Sequence, residues 1–255
     1  MGTSASSKGP GSDTPLVPPW ADSLPGQPLP PPPETPRFQT FRLNLGKFVG
    51  STDQKYLRRA VGEYARNATG GASVGPRRFG SVTNVGGALY GVINDLRQGG
   101  NAESVIGIDL SGLNGRDIDF AIQEIVSALT PHDGDADKIR VAMTTALSEC
   151  LEGFDEFDAT TIDDVMMVDL LVYYLRETVF EQIVMDSDKA FQKSTSVNII
   201  AAEEALHSLV ESVVDNHMRK LFSEDVSLLT ANQVCDIQLK AISEIWKEWE
   251  SYDYD

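Results

Sequence analysis

The chain of 255 residues carries 38 Asp and Glu against 21 Lys and Arg, which gives a formal net charge of -17 at pH 7. Direct nucleic-acid binding is not expected of such an acidic chain, because the phosphate backbone attracts Lys and Arg. The sequence has no apolar run of 18 residues and no secretory leader, so we expect a cytoplasmic protein without membrane contact. Cys150 and Cys235 are too few for a disulfide framework or a zinc site.

The charge is divided unevenly along the chain. Residues 1–100 hold 11 Lys and Arg against 6 Asp and Glu, whereas residues 101–255 hold 10 against 32. This asymmetry indicates one basic and one acidic surface. The basic half contains a possible patch for an acidic partner, and a solvated helix face is the alternative interpretation. The residues of this patch are Arg58, Arg59, Arg77 and Arg78.

The first 37 residues are predicted to be a disordered tail. Eleven of the 13 prolines fall within residues 1–36, together with many Gly and Ser, and this composition offers little apolar surface to bury. Residues 28–33 favour an extended polyproline II helix of about 3.1 Å per residue. The tail could therefore hold its tip several tens of ångströms from the body.

An apolar patch with one aromatic side chain interrupts this tail at residues 15–20, Pro-Leu-Val-Pro-Pro-Trp. A segment that only spaces two domains needs no such patch, whereas a segment that docks into a groove of a partner does. An incidental apolar cluster is the alternative. The candidate contact residues are Leu16, Val17, Pro18 and Trp20.

The start Met1-Gly2-Thr3-Ser4 places a glycine directly after the initiator methionine. Loss of Met1 is expected, since the neighbouring residues are small, and it leaves a free glycine amine. An α-amine has a pKa of about 7.7–8.0, so roughly a tenth is unprotonated at pH 7, far more than for a surface lysine. Glycine also lacks a Cβ that would hinder an incoming electrophile. Gly2 is the candidate functional residue, and an ordinary unstructured terminus is the alternative.

From residue 38 the sequence predicts a helical body, which begins with a short connector at residues 38–49. Helical spacing of apolar residues and capping signals predict the helices that follow. Their approximate ranges are 54–67, 76–98, 115–130, 133–151, 160–187, 197–222 and 230–252, with a loop-rich bridge at 99–114. The predicted fold class is therefore all-α, with a disordered tail over 1–37, a multi-helix bundle over 38–255 and a possible subdivision near 99–114.

The predicted helix at residues 76–98 contains four glycines, each of which costs a helix about 1 kcal/mol. Gly86 and Gly87 predict close packing against another backbone. A phosphate-binding loop is disfavoured, because no strand precedes these glycines and no Gly-Lys-Ser/Thr follows them.

No complete catalytic or metal-binding motif is found. Glu204 and His207 form one Glu-x-x-His motif, but di-iron bundles need two. The aspartates at residues 133–137 imitate a calcium loop, yet Lys138 and Thr144 stand where Gly and Glu are required. We therefore expect no metal site, no catalytic residue and no enzymatic activity of this chain.

Several weak motifs, taken in their order and spacing, resemble the QatB family of bacterial Qat anti-phage systems. They are Met1-Gly2-Thr3-Ser4, Gly9-Pro10-Gly11, the Pro-Leu-Val-Pro-Pro-Trp segment, Arg58-Arg59-Ala60 with Tyr64, and Arg77-Arg78-Phe79-Gly80. The resemblance is strongest over residues 1–100. In these systems QatB, which has no catalytic motif, works beside a QueC-like enzyme (QatC), an ATPase (QatA) and a TatD-like nuclease (QatD).

The resemblance implies an anti-phage defence component whose Gly2 accepts a 7-deazaguanine. QueC-type enzymes use ATP to activate the carboxylate of 7-carboxy-7-deazaguanine, and an amine then displaces AMP. In this interpretation the protein amine replaces ammonia, the helical body is a scaffold, and this chain binds no cofactor itself. QatC is the expected partner of the tail, with QatA and QatD as further candidates. The implied recognition residues near the amine are Thr3, Ser4, Gly9 and Pro10.

Two alternatives stay open. The start of the chain also fits the Met-Gly-x-x-x-Ser/Thr pattern of N-myristoylation, although an acidic body would be repelled by anionic lipid. The other alternative is an adaptor whose proline-rich tail docks a partner and is never modified.

Overall fold

A computed structural model of the protein describes residues 10–11, 14–31, 36–193, 196–222 and 225–252. Within these ranges the chain forms helices and no strand beyond an isolated bridge between Asp117 and Glu156, so the all-α prediction is confirmed. The α-helices are α1 (Gln39–Ser51), α2 (Gln54–Glu63), α3 (Gly80–Arg97), α4 (Glu103–Ile106), α5 (Ile118–Leu129), α6 (Ala136–Cys150), α7 (Asp164–Ser187), α8 (Ser196–Arg219) and α9 (Ala231–Glu250).

Shorter helical turns connect several of these elements. A π-helical turn, Tyr64–Ala68, continues α2. The turn and α2 together match the predicted helix over 54–67. The 3-10 turns are Gly75–Phe79, Ser111–Leu113, Ala159–Thr161, Asp188–Lys193 and Val226–Leu228.

The connector predicted at residues 38–49 was wrong, because this stretch is helix α1. Phe41, Leu45 and Phe48 lie at helical spacing and are fully buried. The pattern is obscured in the sequence by Leu43, which is 55% exposed although it is apolar. Glycine at position 46 further lowers the helical propensity of the stretch.

Capping residues explain where several helices begin. The Asp53 side chain caps α2 by accepting a hydrogen bond from the Lys55 backbone N–H at 3.1 Å. For α5 the cap is Asp117, which accepts from two backbone N–H groups. Asn114 accepts from the backbone N–H of Ala159.

The chain divides into two compact units. Unit 1 comprises Met1–Gly80, Val179–Val213 and Ile242–Asp255, and unit 2 comprises Ser81–Thr178 and Val214–Ala241. The predicted domain boundaries at residue 37 and near 99–114 stay predictions, and this division into units does not follow them. The described part of residues 10–37 belongs to unit 1, and residues 99–114 lie inside unit 2.

An aromatic cluster fills the interior of unit 1. Trp246 lies 5.2 Å from Trp249, 5.3 Å from Phe79 and 6.0 Å from Tyr64, measured between ring centroids. These rings have no exposed surface. The indole N–H of Trp246 donates to the Thr69 hydroxyl at 2.8 Å, so the polar edge of this buried ring is satisfied.

A buried ionic network lies beside this cluster. Asp186 Oδ2 accepts from Arg78 Nη1 at 2.7 Å and from the Tyr64 hydroxyl at 2.8 Å. Burial raises the pKa of Tyr64 well above its usual value, and the neighbouring Asp186 raises it further. Tyr64 therefore stays a neutral donor, and the two charges satisfy each other in the interior.

Close helix packing characterises unit 2, as the glycines of α3 predict. A Cβ added at Gly86 would collide with the side-chain amide of Gln238, and one added at Gly87 would lie 2.5 Å from the Ala231 backbone oxygen. Glycine is needed at both positions because α9 approaches α3 here.

The negative charge of the protein is concentrated in unit 2. The sequence of this unit holds 22 Asp and Glu against 8 Lys and Arg, so it carries -14 of the total of -17. The basic and acidic halves predicted from the sequence thus follow the two units only in part, since unit 1 is itself slightly acidic. Among the described residues no helix has the length and apolarity needed to cross a membrane.

Gly75 provides a test of the aromatic packing in unit 1. A Cβ at this position would overlap the Trp246 indole and lie 2.9 Å from the Thr69 hydroxyl. We expect Gly75→Ala to lower the free energy of unfolding by about 1–3 kcal/mol through overpacking, measured by urea denaturation. The control is Gly50→Ala, which adds a Cβ in open space on α1 and should raise stability by up to about 1 kcal/mol. Equal effects of the two substitutions would contradict this account.

Candidate functional site

The candidate acceptor Gly2 lies outside the described residues, as do Thr3, Ser4 and Gly9. The described chain begins at Pro10, whose carbonyl accepts a hydrogen bond from Arg42 Nη2 at 3.0 Å. Gly2 precedes Pro10 by eight positions, and a fully extended chain of that length spans at most about 30 Å. This limit bounds how far the glycine amine can lie from the start of α1.

The Arg77 side chain makes several of the contacts that fix the proline-rich segment to the body of unit 1. Arg77 donates from Nε and Nη2 to the two carboxylate oxygens of Asp22 at 2.9 and 2.8 Å. The same guanidinium donates to the carbonyls of Leu24, Gln27 and Pro28 at 2.9, 3.0 and 3.4 Å. We call this arrangement, Arg77 with residues 22–28, the Arg77 clamp.

Backbone hydrogen bonds reinforce the Arg77 clamp. Ser23 N–H donates to the Arg77 carbonyl at 3.0 Å, and Gly80 N–H donates to the Ala21 carbonyl at 2.7 Å. Hydrogen bonding to Arg77 lowers the pKa of Asp22, and the same contact raises the pKa of Arg77. The stabilisation by this pair is therefore complete above the ordinary carboxyl pKa, and it is lost only as the pH falls through the lower pKa of the folded state.

The structure divides the predicted docking patch into two parts. Leu16 and Val17 are 6% and 3% exposed and pack on Val74 of the same chain. Trp20 is 52% exposed, and Pro18 beside it is partly exposed. Leu16 and Val17 thus anchor the segment internally, and recognition of a partner by Pro18 and Trp20 stays a prediction.

Two of the four residues of the predicted basic patch are buried. Arg77 and Arg78 are 5% and 6% exposed, and each is paired with a carboxylate of this chain. These two side chains therefore offer little surface to an acidic partner, and binding of such a partner by the patch stays a prediction. Arg58 is exposed and stacks on the Tyr252 ring at 5.1 Å, and Arg59 is half-buried.

The remaining sequence candidates do not assemble into a catalytic centre in the part of the chain that the structure describes. No group of three or more His, Cys, Asp or Glu suited to a metal ion is found there. The His207 ring packs edge-on against Phe180 at 5.0 Å. Burial raises the pKa of Cys150 to about 12 and also raises that of Cys235, so both thiols are poor nucleophiles at neutral pH.

A groove at the start of α1 was missed from the sequence. Its cavity of about 390 Å³ is lined by Pro10, Pro36, Arg37, Phe38, Gln39, Arg42 and Leu43, and we call it the α1 groove. The guanidinium carbons of Arg37 and Arg42 lie 5.1 and 5.0 Å from the Phe38 ring centroid. The spacing Arg-Phe-x-x-x-Arg is visible in the sequence, but it becomes informative only once residues 39–51 are known to be helical.

Comparison with known families gives a match over residues 70–249 to the family described as "Qat anti-phage system associated protein QatB". No curated protein and no solved structure matches the chain. The match spans most of the helical chain, which places the protein among the all-α components of anti-phage defence. The chain belongs to the QatB family.

The location of this match differs from the expectation that the resemblance is strongest over residues 1–100. The matched region begins at residue 70, so it includes the Arg77-Arg78-Phe79-Gly80 block but neither Gly2 nor the segment around Trp20. Family membership therefore rests on the helical body, and the role of the N-terminal residues needs its own evidence.

The Arg77 clamp predicts how the proline-rich segment responds to substitution. Arg77→Lys keeps the charge but loses the planar fork that contacts Asp22 and three carbonyls. We expect backbone amides of residues 21–28 to exchange about tenfold faster or more, since hydrogen bonds to charged groups are lost. Hydrogen exchange followed by mass spectrometry measures this. The control Arg58→Lys, at an exposed site, should leave exchange in the segment unchanged, and unchanged exchange in Arg77→Lys would contradict the clamp.

Proposed function

We propose that this QatB-family protein is a protein substrate and adaptor in its defence system. After loss of Met1, the α-amine of Gly2 is the acceptor for a 7-deazaguanine that a QueC-like enzyme, QatC, activates with ATP. The family match supports a role in anti-phage defence. The observation that carries the finer proposal is the anchoring of the segment at Pro10, at Leu16 and Val17 and in the Arg77 clamp, which holds the base of the N-terminal segment on the folded body.

The proposed conjugation is an ordinary acyl transfer. In the partner enzyme, the carboxylate of 7-carboxy-7-deazaguanine attacks the α-phosphate of ATP, and pyrophosphate leaves. The unprotonated Gly2 amine then attacks the acyl carbon of the resulting acyl adenylate. A new amide bond forms, the bond to the phosphate oxygen breaks with release of AMP, and the amine loses one proton. This chain contributes only the nucleophile, so ATP and the deazaguanine are bound by the partner.

An anchored base restricts the region that the amine can sample. If residues 14–31 were free, the amine could lie several tens of ångströms from the body. Because the chain is held at Pro10 and again by the Arg77 clamp, the amine stays within about 30 Å of the start of α1. A partner that docks on this side of unit 1 would meet the amine at a high effective concentration.

The exposed part of the proline-rich segment is the proposed contact for the QueC-like enzyme. Trp20 is 52% exposed on a segment that is fixed by Leu16, Val17 and the Arg77 clamp. A large aromatic side chain on a fixed backbone loses little conformational entropy when it binds, which is typical of interface hot spots. The helical body would act as the scaffold, with the system ATPase (QatA) and the TatD-like nuclease (QatD) as further partners.

Intact-mass spectrometry tests the acceptor. The protein is incubated with the QueC-like enzyme, ATP and 7-carboxy-7-deazaguanine. We expect loss of Met1 and a mass gain equal to the acid minus one water. Gly2→Pro should abolish the gain, because the nucleophile becomes a hindered secondary amine. Gly2→Ala keeps the primary amine and serves as the matched control, for which modification should persist at a reduced rate.

The same spectra separate the alternatives. An unmodified Gly2 in the presence of the active enzyme and both substrates would sink the conjugation proposal and favour an adaptor that is never modified. A myristoyl-sized gain would favour lipidation. Thermal unfolding of Gly2→Pro should match that of the unsubstituted protein, since the proposal assigns Gly2 no role in the fold.

Trp20→Ala tests the contact with the enzyme. We expect the affinity for the QueC-like enzyme to fall about tenfold or more, as at other aromatic hot spots, with the melting temperature unchanged because the side chain is exposed. Calorimetry measures the affinity. Leu228→Ala removes a side chain that is 78% exposed in unit 2 and should leave it unchanged. Equal affinities of Trp20→Ala and the unsubstituted protein would remove Trp20 from the interface without bearing on Gly2.

A further inference from the structure

We propose that the α1 groove binds the phosphate or carboxylate group of a small-molecule ligand. The inference concerns a different site from the Gly2 amine, and it does not depend on the proposed conjugation. It rests on a buried cation without a hydrogen-bonded carboxylate, on the electrostatics of the start of α1 and on the shape of the cavity.

Arg37 is a buried cation without a hydrogen-bonded carboxylate: the Asp186 carboxylate, which pairs with Arg78, acts on it only from a longer distance. Its exposure is 5%, and Nη2 donates to the Pro15 carbonyl at 3.1 Å. Its Nε and Nη1 atoms have no hydrogen-bond partner. The three other buried arginines in the described part of the chain, Arg77, Arg78 and Arg176, each have a carboxylate partner. Since a buried guanidinium stays charged, the missing partner of Arg37 calls for an anion from elsewhere.

Two further features make the groove attractive to an anion. Arg42 supplies a second guanidinium, which the chain uses to contact backbone carbonyls of Asp186 and Pro10 at 2.8 and 3.0 Å. Its Nη1 also forms an ion pair with Asp188 Oδ2 at 4.0 Å, a long contact that leaves the guanidinium attractive to a further anion. The N-terminus of the 13-residue helix α1 has no acidic residue in its first turn and no side-chain cap, so its backbone N–H groups add positive potential.

The geometry favours an oxyanion over a flat aromatic ligand. The Phe38 ring is only 2% exposed and is contacted by the guanidinium groups of Arg37 and Arg42, so no aromatic face is left for stacking. Guanidinium groups instead offer N–H donors that match phosphate and carboxylate oxygens. The cavity of about 390 Å³ lies in the range of small-molecule sites, which points to a ligand larger than a lone inorganic ion.

The chain itself offers few candidate occupants. Residues 1–9, which immediately precede Pro10 in the groove, contain no Asp or Glu. Asp13 and Glu34, which lie outside the described residues, are the neighbouring carboxylates in the sequence. Their occupation of the groove is an outcome that the experiment must separate from binding of an external ligand.

The test is calorimetric titration of the full-length protein with sodium phosphate, sodium acetate or ATP, at an ionic strength fixed with sodium chloride. The variant Arg37→Met keeps the apolar stem and removes the charge, and Arg58→Met removes an exposed, ring-stacked arginine as a control for net charge. We expect one or more of the three probes to bind the unsubstituted protein and Arg58→Met equally. Arg37→Met should weaken that binding about tenfold or more. ATP or phosphate binding identifies a phosphate ligand, and acetate binding alone identifies a carboxylate.

A readout without ligand distinguishes this role from a structural one. If Arg37 serves a ligand, Arg37→Met should change the melting temperature of the ligand-free protein little, because removal of the buried charge offsets the loss of the hydrogen bond to the Pro15 carbonyl and of the contact with the Phe38 ring. Should Arg37→Met fail to fold, Leu43→Glu places a carboxylate at the exposed rim of the groove and should abolish binding. The proposal would be overturned if no probe binds, or if Arg37→Met binds as well as the unsubstituted protein. It would also be overturned if binding is seen only after Asp13→Asn and Glu34→Gln are combined.

Discussion

Two adjacent arginines on one 3-10 turn, Gly75–Phe79, hold unit 1 together. Arg77 contacts Asp22 in the proline-rich segment, whereas Arg78 contacts Asp186 at the C-terminal end of α7. Burying a charge costs several kcal/mol unless a partner satisfies it. Each arginine therefore needs its own carboxylate, and loss of either carboxylate would leave a buried guanidinium unpaired. The turn can adopt this geometry because Gly75 leaves room for the indole of Trp246.

This pair of contacts changes the interpretation of the N-terminal segment. Composition alone describes residues 1–37 as a free tail, since proline and glycine dominate it. In the structure, residues 14–31 make contacts with the body of the same chain: Leu16 and Val17 are buried, and Asp22 is part of the Arg77 clamp. A fixed segment presents Trp20 in one place, and it limits the distance between the start of α1 and the Gly2 amine. Anchoring therefore restricts the positions of Trp20 and of the Gly2 amine more than a free tail would.

The sequence predicted the helical class and most helices because apolar spacing and caps are local signals, as at Asp53 and in α5. It also predicted close packing at Gly86 and Gly87, where glycine in a helix has a recognisable cost. The burial of Arg77 and Arg78 could not be predicted, since their carboxylate partners lie 55 and 108 residues away in the chain. Helix α1 was missed because the exposed Leu43 interrupts the apolar stripe formed by Phe41, Leu45 and Phe48.

The contrast between Arg37 and the two clamping arginines gives the α1 groove its significance. Arg77 and Arg78 show that this fold places a carboxylate beside a buried guanidinium when the role is structural. Arg37 is buried to the same extent, lies in the same unit and lacks such a carboxylate. An unpaired buried charge lowers the free energy of unfolding. Residues that lower stability in this way are typical of sites that bind a ligand. Pro10 lines the groove and contacts Arg42, and it also follows the N-terminal residues that include Gly2. An anion bound in the groove would therefore lie at the base of the segment that carries Gly2.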